Sequence, residues 1–225
     1  MEIKVVKDIL DANEQLAQRN RRLFDDNNLF AVDLMSSPGA GKTSLILQTI
    51  KSLKKKIKIG VIEGDVSSSL DAEVVGREGI PVVQINTGGG CHLDANMLST
   101  ALGNLPLKAI KLLFIENVGN LICPAGFSLG AHRRVLISSI PEGDDKPFKY
   151  PLMFNVVDAV LINKIDLLPH LKFDIDAFSR TVKGMNQKVE IFPVSCTTGE
   201  GIEQWVSWLL SQMRGGEHAQ RIRDK

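Results

Sequence analysis

Little in this chain suggests a secreted, membrane-spanning or nucleic-acid-coating protein. Cysteine occurs only at Cys91, Cys123 and Cys196, too sparsely for a disulfide framework. No apolar run approaches the ~18 residues that cross a bilayer. The start, Met1-Glu2-Ile3-Lys4, is charged from the outset and lacks the apolar core of a signal peptide. Charge is nearly balanced, 27 basic against 26 acidic residues, so no excess of either sign points to nucleic acid or a membrane surface. No internal repeat, linker or low-complexity segment breaks the chain. The expectation is a cytoplasmic protein with no nucleic-acid and no membrane partner.

What is present begins with size. The 225 residues, 44% of them hydrophobic, suit one α/β domain. The chain is organised around Ser36-Ser37-Pro38-Gly39-Ala40-Gly41-Lys42-Thr43-Ser44, between an apolar run over 29–35 and a helix-compatible segment over 43–53. The phosphate-binding pattern G-x-x-x-x-G-K-S/T is met at every fixed position but the first, where Ser36 replaces Gly. A polyphosphate needs several backbone N–H groups converging on it. Pro38 leads into Gly39, Ala40 and Gly41, small residues that let the backbone come close. The free N–H groups opening the next helix face the same anion. Lys42 can reach the β- and γ-phosphates, and the Thr43 hydroxyl, beside Ser44, can ligate Mg2+. A Gly-rich turn before a helix is the plain alternative, but strand, loop and helix stand in the order that a phosphate site needs.

Further strands are expected over 57–62, 81–85, 112–115, 135–140, 159–162 and 189–194, and helices over 4–28, 66–78, 93–102, 173–185 and 203–213. The proline-rich stretch 141–151 reads as a loop. This alternation predicts a three-layer α/β P-loop NTPase, a mostly parallel sheet flanked by helices on both faces. Residues 1–28 read as an amphipathic helix packed on a nucleotide domain over 29–213, and 214–225 as a flexible tail. Each motif ends a strand, which gathers them on one edge of the sheet.

Asn163-Lys164-Ile165-Asp166 fits N-K-x-D, the guanine-reading element of GTPases. A carboxylate at Asp166 can accept from both the ring N–H and the exocyclic amine of guanine, whereas adenine would leave it unpaired. By resemblance to GTPases, Asn163 would support the loop and the base edge and the Lys164 stem would pack on the base face; Ser195 and Cys196 lie where GTPases carry the loop that closes over the base. Asp65 and Glu116 each end an apolar strand and can hold Mg2+ or its waters with Thr43. A helix cap or solvated acid is the plain alternative for Asp65. Gly119 fits the Gly of D-x-x-G, with Glu116 where Asp is usual, which leaves the direct ligand open. Lys42, Asp65 and Glu116 are the candidate catalytic groups. No glutamine follows Gly119 to orient water, so slow turnover is expected, with Asp65 the candidate for placing the water.

Cys91-His92 and Cys123 form a second constellation, whose thiolates and imidazole suit Ni2+, Zn2+ or copper. Three ligands do not close a four-coordinate site, so a water, another residue or a second subunit must contribute. Cys123 taken alone is also an ordinary small core residue. Its place four residues past Gly119 would let a loop that moves with the γ-phosphate carry a metal ligand. His132, His170 and His218 are scattered and read as surface or packing residues.

On Ser37-Pro38-Gly39-Ala40-Gly41-Lys42-Thr43, Glu63-Gly64-Asp65, Gly90-Cys91-His92-Leu93-Asp94-Ala95, Glu116-Asn117-Val118-Gly119-Asn120-Leu121-Ile122-Cys123-Pro124, Glu142-Gly143-Asp144-Asp145-Lys146-Pro147 and Asn163-Lys164-Ile165-Asp166, the sequence resembles the HypB family. These are GTPases that help insert nickel into nickel–iron hydrogenase. The resemblance implies GTP hydrolysed to GDP, Mg2+, and a nucleotide-dependent homodimer with a Ni2+ or Zn2+ site at its interface. It assigns metal binding to Cys91, His92 and Cys123, and implies the nickel-delivery protein HypA and the hydrogenase large subunit as partners. Residues 1–35 hold no Cys and no His, so a separate N-terminal nickel site is not expected. The competing readings are a GTPase chaperone of the urease-accessory or cobalamin type, a metal buffer with vestigial nucleotide binding, and an ATP-driven partitioning or reductase protein.

Overall fold

The computed structural model describes residues 5–66 and 70–223. Seven strands form one sheet: β1 (Phe30–Ser36), β2 (Ile59–Asp65), β3 (Val82–Asn86), β4 (Leu112–Glu116), β5 (Arg133–Ser139), β6 (Ala159–Asn163) and β7 (Glu190–Pro193). They pair in the order β3-β2-β4-β1-β5-β6-β7, every pairing parallel. The helices are α1 (Val5–Asp26), α2 (Lys42–Leu53), α3 (Leu70–Gly76), α4 (Ala95–Leu102), α5 (Cys123–Gly126), α6 (Lys146–Lys149), α7 (Pro151–Asn155), α8 (Ile175–Met185) and α9 (Ile202–Arg223). The expected three-layer P-loop architecture is present.

Burial of the central strands on both faces explains their unbroken apolar runs. Alternate residues divide them between two layers. Val32, Leu34, Phe114, Ile137 and Leu161 pack with Leu45, Ile46 and Ile50 of α2 and Trp205 and Leu209 of α9. On the other face, Met35, Leu136, Val160 and Ile162 meet Phe154 of α7 and Phe178 of α8. Beside them, Ala31, Ile62, Leu113 and Ile115 meet Phe24 of α1 and Leu98 and Leu102 of α4. Asp33, also buried, stands in β1 between Val32 and Leu34.

Helix starts follow cap chemistry. Asp94 accepts from the Met97 N–H and Asp174 from the Ala177 N–H, so α4 and α8 begin just inside their apolar patterns. The stretch 141–151, expected as a loop, instead holds most of a 3-10 turn, α6 and the first residue of α7. Its prolines sit in the first turn of each, where a missing N–H costs nothing and a fixed φ favours the helix. The last helix also runs well past its expected end at Met213, as far as Arg223, through most of the stretch expected to be a flexible tail. Residues 67–69, expected to be helical, lie outside the described residues, as do the ends 1–4 and 224–225.

Candidate functional site

The phosphate loop joins β1 to α2. Its conformation needs Gly39 at φ 72° and Gly41 at φ 105°, the left-handed region closed to most side chains. Gly41 caps α2, and a Cβ there would collide with the Asn163 amide. Lys42 is buried and its ammonium donates to the Ser36 hydroxyl at 3.0 Å. The base loops brace the same turn. Asn163 donates to the Ala40 carbonyl at 2.8 Å and the Lys164 ammonium to the Gly39 carbonyl at 2.7 Å. Asn163 Oδ1 accepts from the backbone N–H of Lys164 and of Cys196. The Ser195 hydroxyl donates to Asp166 at 2.5 Å, fixing one oxygen of the carboxylate expected to read guanine. Burial pushes the Cys196 thiol up to about 11, so it is a structural neighbour of this loop. Pro38, Gly39, Ala40, Gly41, Lys42, Thr43, Ser44, Asn163, Lys164, Asp166, Ser195 and Cys196 thus surround one end of the sheet.

Acidic groups converge beside Thr43. Its hydroxyl donates to Glu116 at 2.9 Å. Register sets Glu63 of β2 directly across from Glu116 of β4. Oxygens of Glu63, Asp71 and Glu116 lie within 4.8 Å of one another. Burial pushes Glu63 up to about 8, helped by the negative charges of Glu116, Asp65 and Asp71. Burial pushes Glu116 up to about 7 against the pull of Lys42 and the Thr43 hydroxyl. Among the described residues, one oxygen of each of these two glutamates is buried without a hydrogen-bond partner. Hard oxygen ligands, orphaned and repelling one another, fit a divalent cation. Asp65 ends β2, half-buried, outside this converging trio. Sequence reading did not single out Glu63 or Asp71 as candidate ligands. The two-residue period, which puts Glu63 on the same face of β2 as Asp65, was the available signal for Glu63.

The second constellation lies on the loops after β3 and β4. The Cys91 and Cys123 sulfurs are 3.0 Å apart, and Cys91 Sγ is 3.7 Å from His92 Nδ1. Cys91 is exposed and the other two half-buried. Burial holds His92 below the ordinary imidazole value, which favours the neutral ring a metal needs. Its ring packs on Phe127 with centroids 4.0 Å apart.

One loop, 116–123, joins both sites. Glu116 bonds Thr43. Buried Asn117 accepts from the backbone N–H of Leu93 and Val118 and donates to Asp33 at 3.2 Å. Asn120 donates to the Cys91 carbonyl at 3.3 Å and accepts from the Ile122 N–H. Behind it, Arg134 lies 3.7 Å from Asp33 and donates to the carbonyls of Pro124 and Ala125. Sequence reading quoted Asn117 and Asn120 within the 116–124 motif without giving either a role, and did not single out Asp33 or Arg134. His132 belongs to packing: its Nδ1 accepts from the Ala31 N–H, leaving Nε2–H to donate to Asp25 at 2.9 Å. The side chain of His218 lies outside the described residues.

Residues 31–193 match the family model described as CobW/HypB/UreG, nucleotide-binding domain. Hydrogenase maturation factor HypB of Escherichia coli strain K12 is 46% identical over 210 residues, covering 93% of this chain and 72% of that protein. The crystal structure of hydrogenase maturation factor HypB from Archaeoglobus fulgidus superposes with a TM-score of 0.85 at 39% identity, covering 90% of this chain and 99% of that one. HypB from Helicobacter pylori, crystallised in complex with nickel, superposes with a TM-score of 0.86 at 35% identity, covering 91% of this chain and 96% of that one. The family model over most of the chain, the identity to these relatives and the shared fold agree on one assignment: the chain belongs to the HypB family of hydrogenase maturation factors.

Proposed function

We propose that this protein is a GTP-hydrolysing metallochaperone whose nucleotide cycle and dimerisation govern Ni2+ delivery during nickel–iron hydrogenase maturation. The observation that carries the reading is the 116–123 loop, which bonds Thr43 at one end and brings Cys123 to Cys91 at the other. GTP and nickel would then act on two ends of one short segment.

Hydrolysis transfers the γ-phosphoryl group to water, breaking its bond to the β-phosphate oxygen and leaving GDP and phosphate. Thr43, Asp65 and Glu116, joined by Glu63 and Asp71, would hold Mg2+, which would offset phosphate charge. Lys42, which donates to Ser36 here, would turn to the β- and γ-phosphates. The Asp166 carboxylate would accept from guanine while Ser195 keeps it oriented. Asp65 is the candidate for placing the attacking water. With no glutamine after Gly119, turnover should be slow.

The cargo site is Cys91, His92 and Cys123, with ligation completed across a homodimer; Zn2+ fits the same donors. Cys91 is exposed at this site, as a shared interface requires. HypA and the hydrogenase large subunit are the proposed partners, in the cytoplasm. Residues 1–28 would act as a helix docked on a GTPase domain over 29–213. The test is the mass in solution with GDP and with a non-hydrolysable GTP analogue, each with and without Ni2+. A shift to dimer in at least one condition supports the reading; a monomer in all four contradicts the interface site. In parallel, Lys42→Ala should abolish GTP turnover.

A further inference from the structure

The two arms of the metal pocket are held together from outside the nucleotide domain. One arm runs through Cys91 and His92 into α4 at Ala95; the other runs through α5 into Phe127, Ser128 and Leu129. Asn13, Ala17 and Asn20 form one stripe of α1, at four- and three-residue spacing, and all three are buried. Asn13 accepts from the Ala95 N–H at 2.9 Å and donates to the Ser128 carbonyl at 2.9 Å. Asn20 donates to the Ala95 carbonyl at 2.9 Å and to the Leu129 carbonyl at 3.3 Å. Each amide therefore spans both arms. Between them, the Ala17 carbonyl lies so close to Gly130 that a Cβ there would collide with it. The bonded residues Ala95 and Ser128 follow closely in sequence on His92 and Phe127, whose rings pack together.

We propose that Asn13 and Asn20 are positioning residues for the metal pocket, setting the spacing of Cys91 and His92 from Cys123 by bonding the backbone of both arms. This gives α1 a role beyond covering the sheet, and it rests on the nickel reading above. Outer partners that orient ligands commonly change metal affinity about 10- to 100-fold when removed. Docking α1 onto the domain does not by itself require that each amide reach both arms.

The test is a nickel titration of the full chain against a competing chelator, with the cysteine-to-nickel charge-transfer absorption recorded. GDP affinity, read alongside, reports folding of the nucleotide domain. Asn13→Asp keeps the acceptor for Ala95 but loses the donor to Ser128, and Asn20→Ala loses both bonds. Each should weaken nickel binding about tenfold or more and change the charge-transfer band. Arg21→Met is the control: Arg21 also ties α1 to the chain, through the Gly130 and Ala131 carbonyls, but reaches one arm only. It should lower thermal stability and leave nickel affinity within about twofold of wild type. Wild-type nickel affinity and spectrum in both asparagine variants, or an equal loss in Arg21→Met, would overturn the proposal. If one asparagine variant does not fold, the other carries the same comparison. Nickel binding in the wild type that ignores Cys91→Ser and Cys123→Ser would instead overturn the underlying reading.

Discussion

Gly119 lies against the phosphate loop so closely that a Cβ would come within 2.9 Å of the Pro38 nitrogen and 3.0 Å of its Cα. The loop ending at Cys123 is thus in backbone contact with the loop expected to cradle phosphate. Packed turns of this kind yield in steps, not smoothly, so on the proposed reading a small displacement at Thr43 or Pro38 would be passed along.

Gly119→Ala should therefore force these two backbones apart. Overpacking of this kind costs about 1–3 kcal/mol. Thermal denaturation should show lower stability, and calorimetric GDP titration weaker binding. Unchanged values in both would mean that the contact is loose.

The acidic trio predicts which carboxylates answer to Mg2+. Glu63→Ala and Asp71→Ala should each raise the Mg2+ concentration needed for half-maximal GTP hydrolysis, by roughly tenfold on the scale of removing one ligand partner. Asp65→Ala should instead lower single-turnover hydrolysis with a smaller change in Mg2+ requirement. A Mg2+ titration of the three variants distinguishes the converging group from the half-buried strand end.

Asp166→Ala leaves Ser195 without its acceptor and, on the proposed reading, removes the carboxylate that accepts from guanine. GTP affinity should fall by roughly a hundredfold or more while ATP affinity stays at its wild-type level. Competition with fluorescent nucleotides measures both. Retained preference for GTP would locate guanine recognition elsewhere.

Asp33 predicts a pH signature. Burial raises its carboxyl to about 6, against the pull of Arg134 and the Asn117 hydrogen bond. The unfolded chain releases this proton near pH ~4, so between there and about 6 the folded state holds more protons. The contribution is complete below the unfolded value and lost as pH rises through 6. Asp33→Asn should gain stability relative to wild type across that interval in urea unfolding. Parallel profiles for the two proteins would show that Asp33 does not titrate there.

Much of this was legible in the sequence because parallel strands, buried on both sides, read as continuous apolar runs. The phosphate and base loops were legible because their chemistry fixes residue type and spacing at once. What escaped depends on register and depth. Glu63 faces Glu116 only through the pairing of β2 with β4. Asp71 joins them only because α3 packs against β2 and β3. Asp33 hid in an apolar run, and its partners Asn117 and Arg134 come from two other strand ends. The prolines of 141–151 misled because the residue that breaks a helix interior also suits a helix start. Cys91 and Cys123 were recognisable as candidate ligands, but their sulfurs meet at 3.0 Å only through a loop geometry that spacing does not encode.

Nickel affinity measured in the GDP state and again with a non-hydrolysable GTP analogue tests the central claim most directly. Two sites sharing the 116–123 loop should be coupled, so the two nickel dissociation constants should differ by about fivefold or more, and nickel should change the preference between the nucleotides by the same factor. Identical nickel affinity in both states, with binding still dependent on Cys91 and Cys123, would contradict it.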